Sequence, residues 1–180
     1  MKREQRTPHE VLIEELEAEG VIPDPFDLEL FIKRLEGRRG RPIHMVPISA
    51  RRGAPCGLYI KTGAADYLCY VRSSSPLHEC HILLHELGHL VLGHQDSGWR
   101  SEELQRMLLP NLNADMIRRV LFRTGYADPA EDAAEAFAEL ILAPRVLASG
   151  RYTGPAATPP AEIAEVVRNL EQAWGSGRGF

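Results

Sequence analysis

Five consecutive residues carry most of the chemistry in this chain: His85-Glu86-Leu87-Gly88-His89. On a helix, a separation of four residues is just over one turn, so both imidazoles project from one face about a turn apart. Two nitrogens placed this way can bind one Zn²⁺ at roughly 2.0 to 2.1 Å, and H-E-x-x-H on a helix is the pattern that does so. Glu86 stands beside the first histidine. From there a carboxylate can take a proton from a water activated at the metal and return it to a departing amine. Gly88 would let a second backbone approach the helix closely. The competing readings are a chance pentapeptide with two surface or core histidines, and a site that binds metal without catalysing anything.

A catalytic zinc takes three protein ligands and keeps one position open. A third ligand is offered downstream by Glu131-Asp132-Ala133-Ala134-Glu135-Ala136-Phe137-Ala138, where Glu131 and Glu135 lie four apart on one helical face. Glu131 could ligate while Glu135 fixes the outer N–H of His85 or His89, as ligating imidazoles require. Both acids could equally line a solvated face. Asp128, Asp132 and Glu139 compete for the ligand role. His81, with His78 upstream of it, extends the histidine stripe. Because an open position must remain, His81 is assigned a structural or ligand-supporting role rather than a fourth bond to the metal. His94 is expected to point elsewhere, at the helix C-terminus. Tyr126 is a candidate hydrogen-bond donor to an oxyanion, with core packing as the alternative.

These groups need rigid elements to hold them. Pro76, with Ser75 as cap, can open a helix whose run Ile82, Leu83, Leu84, Leu87, Leu90, Val91, Leu92 is too continuous for a surface helix. It is expected to be central and buried. Two helices should precede it, Pro8 to Glu19 ending at Gly20, and one capped by Asp27 and closing at Gly37. Ile43 to Ile48, Gly57 to Lys61 and Tyr67 to Val71 read as short strands, the last two close enough for a hairpin. Further helices are expected over Glu102 to Leu109, Ala114 to Phe122 and Pro129 to Leu142. A linker from Ser149 to Pro160 should lead to a short amphipathic helix containing Ile163, Val166, Val167 and Leu170. The domain reading is therefore residues 1–148, helical over 1–40, followed by a linker, helix and tail over 149–180.

With 180 residues, 44% hydrophobic, the chain has one domain's worth of core. The start MKREQRTPHE carries no apolar signal core, and no run is long enough to span a bilayer, which predicts a cytoplasmic protein without membrane contact. Three cysteines, Cys56, Cys69 and Cys80, without C-x-x-C spacing, read as reduced small apolar side chains. A net charge of -4 gives no global reason to bind nucleic acid. The local exception is Arg38, Arg39, Arg41, Arg51 and Arg52, read as a solvated loop or as a patch for an acidic partner.

The motif His85-Glu86-Leu87-Gly88-His89, with Glu131-x-x-Ala134-x-x-Phe137-Ala138 and Leu140-Ile141-Leu142-Ala143-Pro144, resembles the ImmA/IrrE family of metallopeptidases over roughly residues 24 to 144. The resemblance implies Glu131 as third zinc ligand. Glu135 stands where the family pattern has Asn or Asp, and Ala143 where it commonly has Met. The implied fold is α+β and zincin-like (minigluzincin), a small, mostly antiparallel sheet packed on a central H-E-x-x-H helix. The implied activity is zinc-dependent cleavage of a protein substrate, a helix-turn-helix repressor or partner regulator, as in toxin–antitoxin-like pairs. This chain shows no helix-turn-helix segment, so the regulator would be a separate protein. The rivals are a non-catalytic, metal-stabilised module that sequesters a regulator, and a nucleic-acid binder acting through the arginine cluster.

Overall fold

A computed structural model of the chain describes residues 6–49, 56–61, 64–73, 75–94, 129–149 and 164–174. Within them, five helices and one three-stranded sheet form an α+β arrangement. No helix among the described residues is long and apolar enough to cross a membrane. The helices expected over Glu102 to Leu109 and Ala114 to Phe122 lie outside the described residues, as do Asp128 and Tyr126. The expected linker does too, except for Ser149.

Helix α1 (Pro8–Ala18) opens on a reciprocal cap: the Thr7 N–H donates to Glu10 Oε2 at 2.7 Å and the Glu10 N–H to Thr7 Oγ1 at 3.4 Å. Ile13 and Leu16 are buried, whereas Val11 is exposed. Helix α2 (Leu28–Arg39) is capped by Asp27, whose Oδ1 accepts from the Leu30 N–H at 2.8 Å. It runs past Gly37, where the sequence predicted its end. One interior glycine costs about 1 kcal/mol, which the burial of Phe31, Ile32 and Leu35 outweighs. The stop comes at Gly40, whose φ of 63° suits a residue without a Cβ.

Strands β1 (Ile43–Ile48), β2 (Gly57–Lys61) and β3 (Asp66–Val71) fall where expected, in the order β1-β3-β2. β2 and β3 pair antiparallel, Gly57 opposite Tyr70 and Lys61 opposite Asp66. β1 pairs parallel with β3, from Ile43 opposite Asp66 to Ile48 opposite Val71. The sheet is thus mixed rather than mostly antiparallel. The physical reason is that β2 lies within the long connection between β1 and β3, giving the chain the length a parallel return needs. β3, in the middle, is buried from Asp66 through Tyr70, so it lacks the alternation of a half-exposed strand. β2 is left at an edge.

Helix α3 (Pro76–Val91) carries the H-E-x-x-H motif. Ser75 caps it, its Oγ accepting from the His78 N–H at 3.3 Å. Cys80, Leu83, Leu84 and Leu87 are fully buried, because α3 packs against β2 and β3 and also against helix α4 (Pro129–Ser149). α4 starts where expected but continues beyond Leu142, through Pro144. A proline inside a helix removes one backbone donor. Next to it, Arg145 Nη1 donates to the Ile141 carbonyl at 2.7 Å, while its Nη2 pairs with Glu17 of α1 at 2.6 Å and its guanidinium lies 5.8 Å from the Phe26 ring centroid. Helix α5 (Ala164–Trp174) buries Val167 and Leu170 and packs on β1, where Glu171 Oε1 accepts from the Ser49 N–H at 2.9 Å.

Candidate metal centre

α3 and α4 meet at the motif. A Cβ added to Gly88 would lie 3.0 Å from Ala134 Cα and 3.1 Å from its carbonyl oxygen, so the glycine is what permits this approach. The closeness brings the first turn of α4 over the two histidines. His89 Nε2 lies 3.1 Å from His85 Nε2, and Glu131 reaches both, Oε2 to His85 Nε2 at 3.3 Å and Oε1 to His89 Nε2 at 3.4 Å. Nitrogen and oxygen ligands about 2.0 to 2.2 Å from one tetrahedral ion stand roughly 3.3 to 3.6 Å apart. Glu131 presents one oxygen to each imidazole, and each of these contacts is close to that spacing. His85, His89 and Glu131 form the one group of potential ligands found among the described residues that could hold a metal ion. Asp132 and Glu139 are exposed and are not part of it.

The donor set fits a cation chemically as well. His85 Nδ1 lies 3.2 Å from Glu135 Oε2. A carboxylate only accepts, and Glu131 faces Nε2 as Glu135 faces Nδ1, so a cation at Nε2 would leave the ring's proton on Nδ1, toward Glu135. Glu135 is in turn held by His81, whose Nε2 lies 3.3 Å from Oε1. Glu135 and His81 thus lie on the Nδ1 side of His85. Glu131 is the exposed member of the triad, its side chain 52% exposed against 11% for His89.

Glu86 packs against β2 and is buried. It packs so tightly on β2 that a Cβ on Gly57 would lie 2.8 Å from its Cγ and 2.9 Å from its Cδ. Burial pushes the carboxyl up to about 7 in the metal-free protein; His85 and His89 pull it down, Glu131 raises it, and a hydrogen bond from the Tyr59 backbone N–H lowers it. Gly57 and the Tyr59 amide were not assigned to the site from sequence. A glycine in a strand can signal close approach, but its neighbour is visible only once β2 and α3 are packed together.

His94 corrects an expectation. It does not point away: its Nδ1 lies 3.3 Å from His89 Nδ1, with the rings 5.4 Å apart and edge-on. Gly93, at a φ of 73°, turns the chain so that the His94 N–H reaches the His89 carbonyl at 3.0 Å. The Gly-His pair after Leu92 was the available signal.

All three cysteines are free; Cys69 and Cys80 are buried, but Cys56 is exposed rather than packed. Burial pushes the Cys69 thiol up, away from thiolate chemistry. The arginine cluster is neither a bare loop nor a free patch over its described part. Arg38 pairs with Glu19 at 2.6 Å, and Arg39 and Arg41 each reach Asp66 at 3.0 Å. Arg51 and Arg52 lie outside the described residues. Compared with protein-family models, with curated proteins and with solved structures, the chain finds no match in any of the three.

Proposed function

We propose that this chain is a zinc-dependent endopeptidase with a zincin-like, minigluzincin domain, as the resemblance of its two motifs to the ImmA/IrrE family implies. The observation that carries the reading is the convergence of His85, His89 and Glu131 ligand atoms within 4.8 Å of one another, with the buried Glu86 on the same helix. Two imidazoles and a carboxylate suit zinc. When bound, the ion acts as a Lewis acid toward a peptide carbonyl and acidifies water. Glu86 would take the proton of the attacking water and deliver it to the leaving amine, the two roles a buried carboxylate beside the ligands can fill. Gly57 and the Tyr59 N–H hold that carboxyl in place. An extended substrate added along β2, an edge of the sheet, would bring its scissile bond beside Glu86 without demanding a particular sequence.

The substrate proposed is a helix-turn-helix regulator, a separate cytoplasmic protein. The test is mass spectrometry of that regulator after incubation with the zinc-loaded protein, with Glu86→Gln in parallel. One defined cut is expected, made about 10²- to 10⁴-fold more slowly by the variant while its zinc content is unchanged. Cutting at the full rate by Glu86→Gln would sink the assignment. An intact regulator in both samples, held in a complex, would favour the sequestering module, in which the triad joins α3 to α4 as a structural clamp.

A further inference from the structure

His85 and His89 face the triad with their Nε2 atoms, and each therefore needs its Nδ1 proton fixed from behind. For His85 the partner is Glu135. For His89 the atom behind Nδ1 is Nδ1 of His94, at 3.3 Å. The main chain of His94 has a separate task, since its N–H closes the end of α3 on the His89 carbonyl whatever side chain stands there. The imidazole is thus not needed for the cap. What it contributes is an acceptor placed on the one nitrogen of His89 that faces away from Glu131.

Resting on the metal reading above, we propose that His94 is a positioning residue for the metal centre: its Nδ1 accepts the His89 Nδ1–H and so holds His89 in the tautomer and ring orientation that offers Nε2 to the ion. His94 then carries its own proton on Nε2. The two histidine ligands are supported unequally, one by a carboxylate and the other by a neutral ring. Bonds to a charged acceptor are roughly twice as strong as neutral ones. The loss on removing His94 should therefore fall at the lower end of the range for partners that orient ligands, about tenfold in zinc affinity.

The test uses the full-length chain and zinc alone. Zinc dissociation constants are measured by chelator competition for the native protein, His94→Asn and His94→Phe, after confirming equal unfolding temperatures without metal. Asparagine places its Oδ1 where the histidine has Nδ1, so His94→Asn should bind within about threefold of native, whereas His94→Phe, similar in shape but without an acceptor, should bind about tenfold more weakly. Independently of any variant, heteronuclear NMR of the ring nitrogens in the zinc-loaded native protein should find the His89 proton on Nδ1. Native affinity in His94→Phe overturns the inference and leaves the metal reading standing, whereas a His89 proton on Nε2 overturns the inference together with His89 as an Nε2 ligand. A native protein that binds no zinc overturns both.

Discussion

Two clusters in this molecule gather charged and titratable side chains from distant parts of the chain, and they differ in donor and acceptor arithmetic. At the Asp66 end of the sheet, a fully buried carboxylate meets only donors: Arg39 Nη2 and Arg41 Nε at 3.0 Å and the Tyr59 hydroxyl at 3.1 Å. That cluster matches one buried carboxylate with two guanidiniums and a hydroxyl, and it ties the end of α2 to β2 and β3. Between α3 and α4, the atoms that converge are a carboxylate and the lone-pair face of at least one imidazole, which become mutually favourable around a positive charge. A cluster of charged residues is therefore not a site merely by being a cluster. An excess of acceptors aimed at one point is what marks the second as a place for a cation.

The largest effect should come from breaking the Asp66 cluster. Asp66→Ala leaves two guanidiniums without their shared acceptor, and breaking a buried pair costs about 3 to 5 kcal/mol. Arg39 and Arg41 are 26% and 22% exposed and can partly rehydrate, which favours the lower figure. Chemical denaturation should show this loss with and without zinc, while zinc affinity per folded molecule stays native. A loss of zinc affinity in Asp66→Ala would show that the clusters are coupled and the contrast false.

The converse experiment touches the metal cluster. A ligand bound only by the folded state adds about 2.7 kcal/mol at a hundred times its dissociation constant. Zinc at that level should raise the unfolding temperature of the native protein and of Asp66→Ala, and a chelator should reverse it. In Glu131→Ala, at the same zinc concentration, the increment should vanish. If Glu131→Ala keeps the full increment, Glu131 is not a ligand.

The difference between the clusters also governs what could be read in the sequence. His85 and His89 were legible as a pair that could hold a metal ion because helical spacing is local, and Glu131, which spacing left open against a solvated face, was singled out by the motif resemblance. Glu135 and His81 followed by the same arithmetic. The Asp66 cluster was not legible: Arg39 and Arg41 read as a solvated run because the acid that pairs with them lies far along the chain, on β3. The parallel pairing of β1 escaped for the same reason, since it depends on the path of a connection rather than on any strand's pattern. The packing of Gly57 on Glu86 depends on how β2 meets α3. His94 was misplaced because its direction is set by the left-handed backbone of Gly93, not by helical spacing. The end of α4 was read at Leu142 from apolar spacing, but the helix continues through Pro144 to Ser149.

The smallest effect expected concerns pH, and it should have opposite signs with and without metal. In the metal-free protein burial pulls the His85 pKa down, but the hydrogen bond and charge of Glu131, together with Glu86 and Glu135, outweigh it, so the net shift is upward from 6.5. A raised histidine stabilises fully below its unfolded value, about 6.5, and loses that contribution as pH rises through its folded pKa. Hydrogen bonds from His85 and His89 hold Glu131 well below the usual carboxylate range, so its contribution is present above 4.5 and is lost on acidification. The metal-free cluster should thus help most between about pH 4.5 and 6.5. Zinc requires neutral imidazoles, so the zinc-dependent increment should instead grow as pH rises above about 6.5. Thermal unfolding at about pH 5.5 and pH 8, with chelator or with zinc, reads both slopes. Glu131→Ala supplies the baseline. Slopes of the same sign in the two conditions would mean that the imidazoles and the carboxylate do not exchange a proton for an ion, and the contrast between the two clusters would fail.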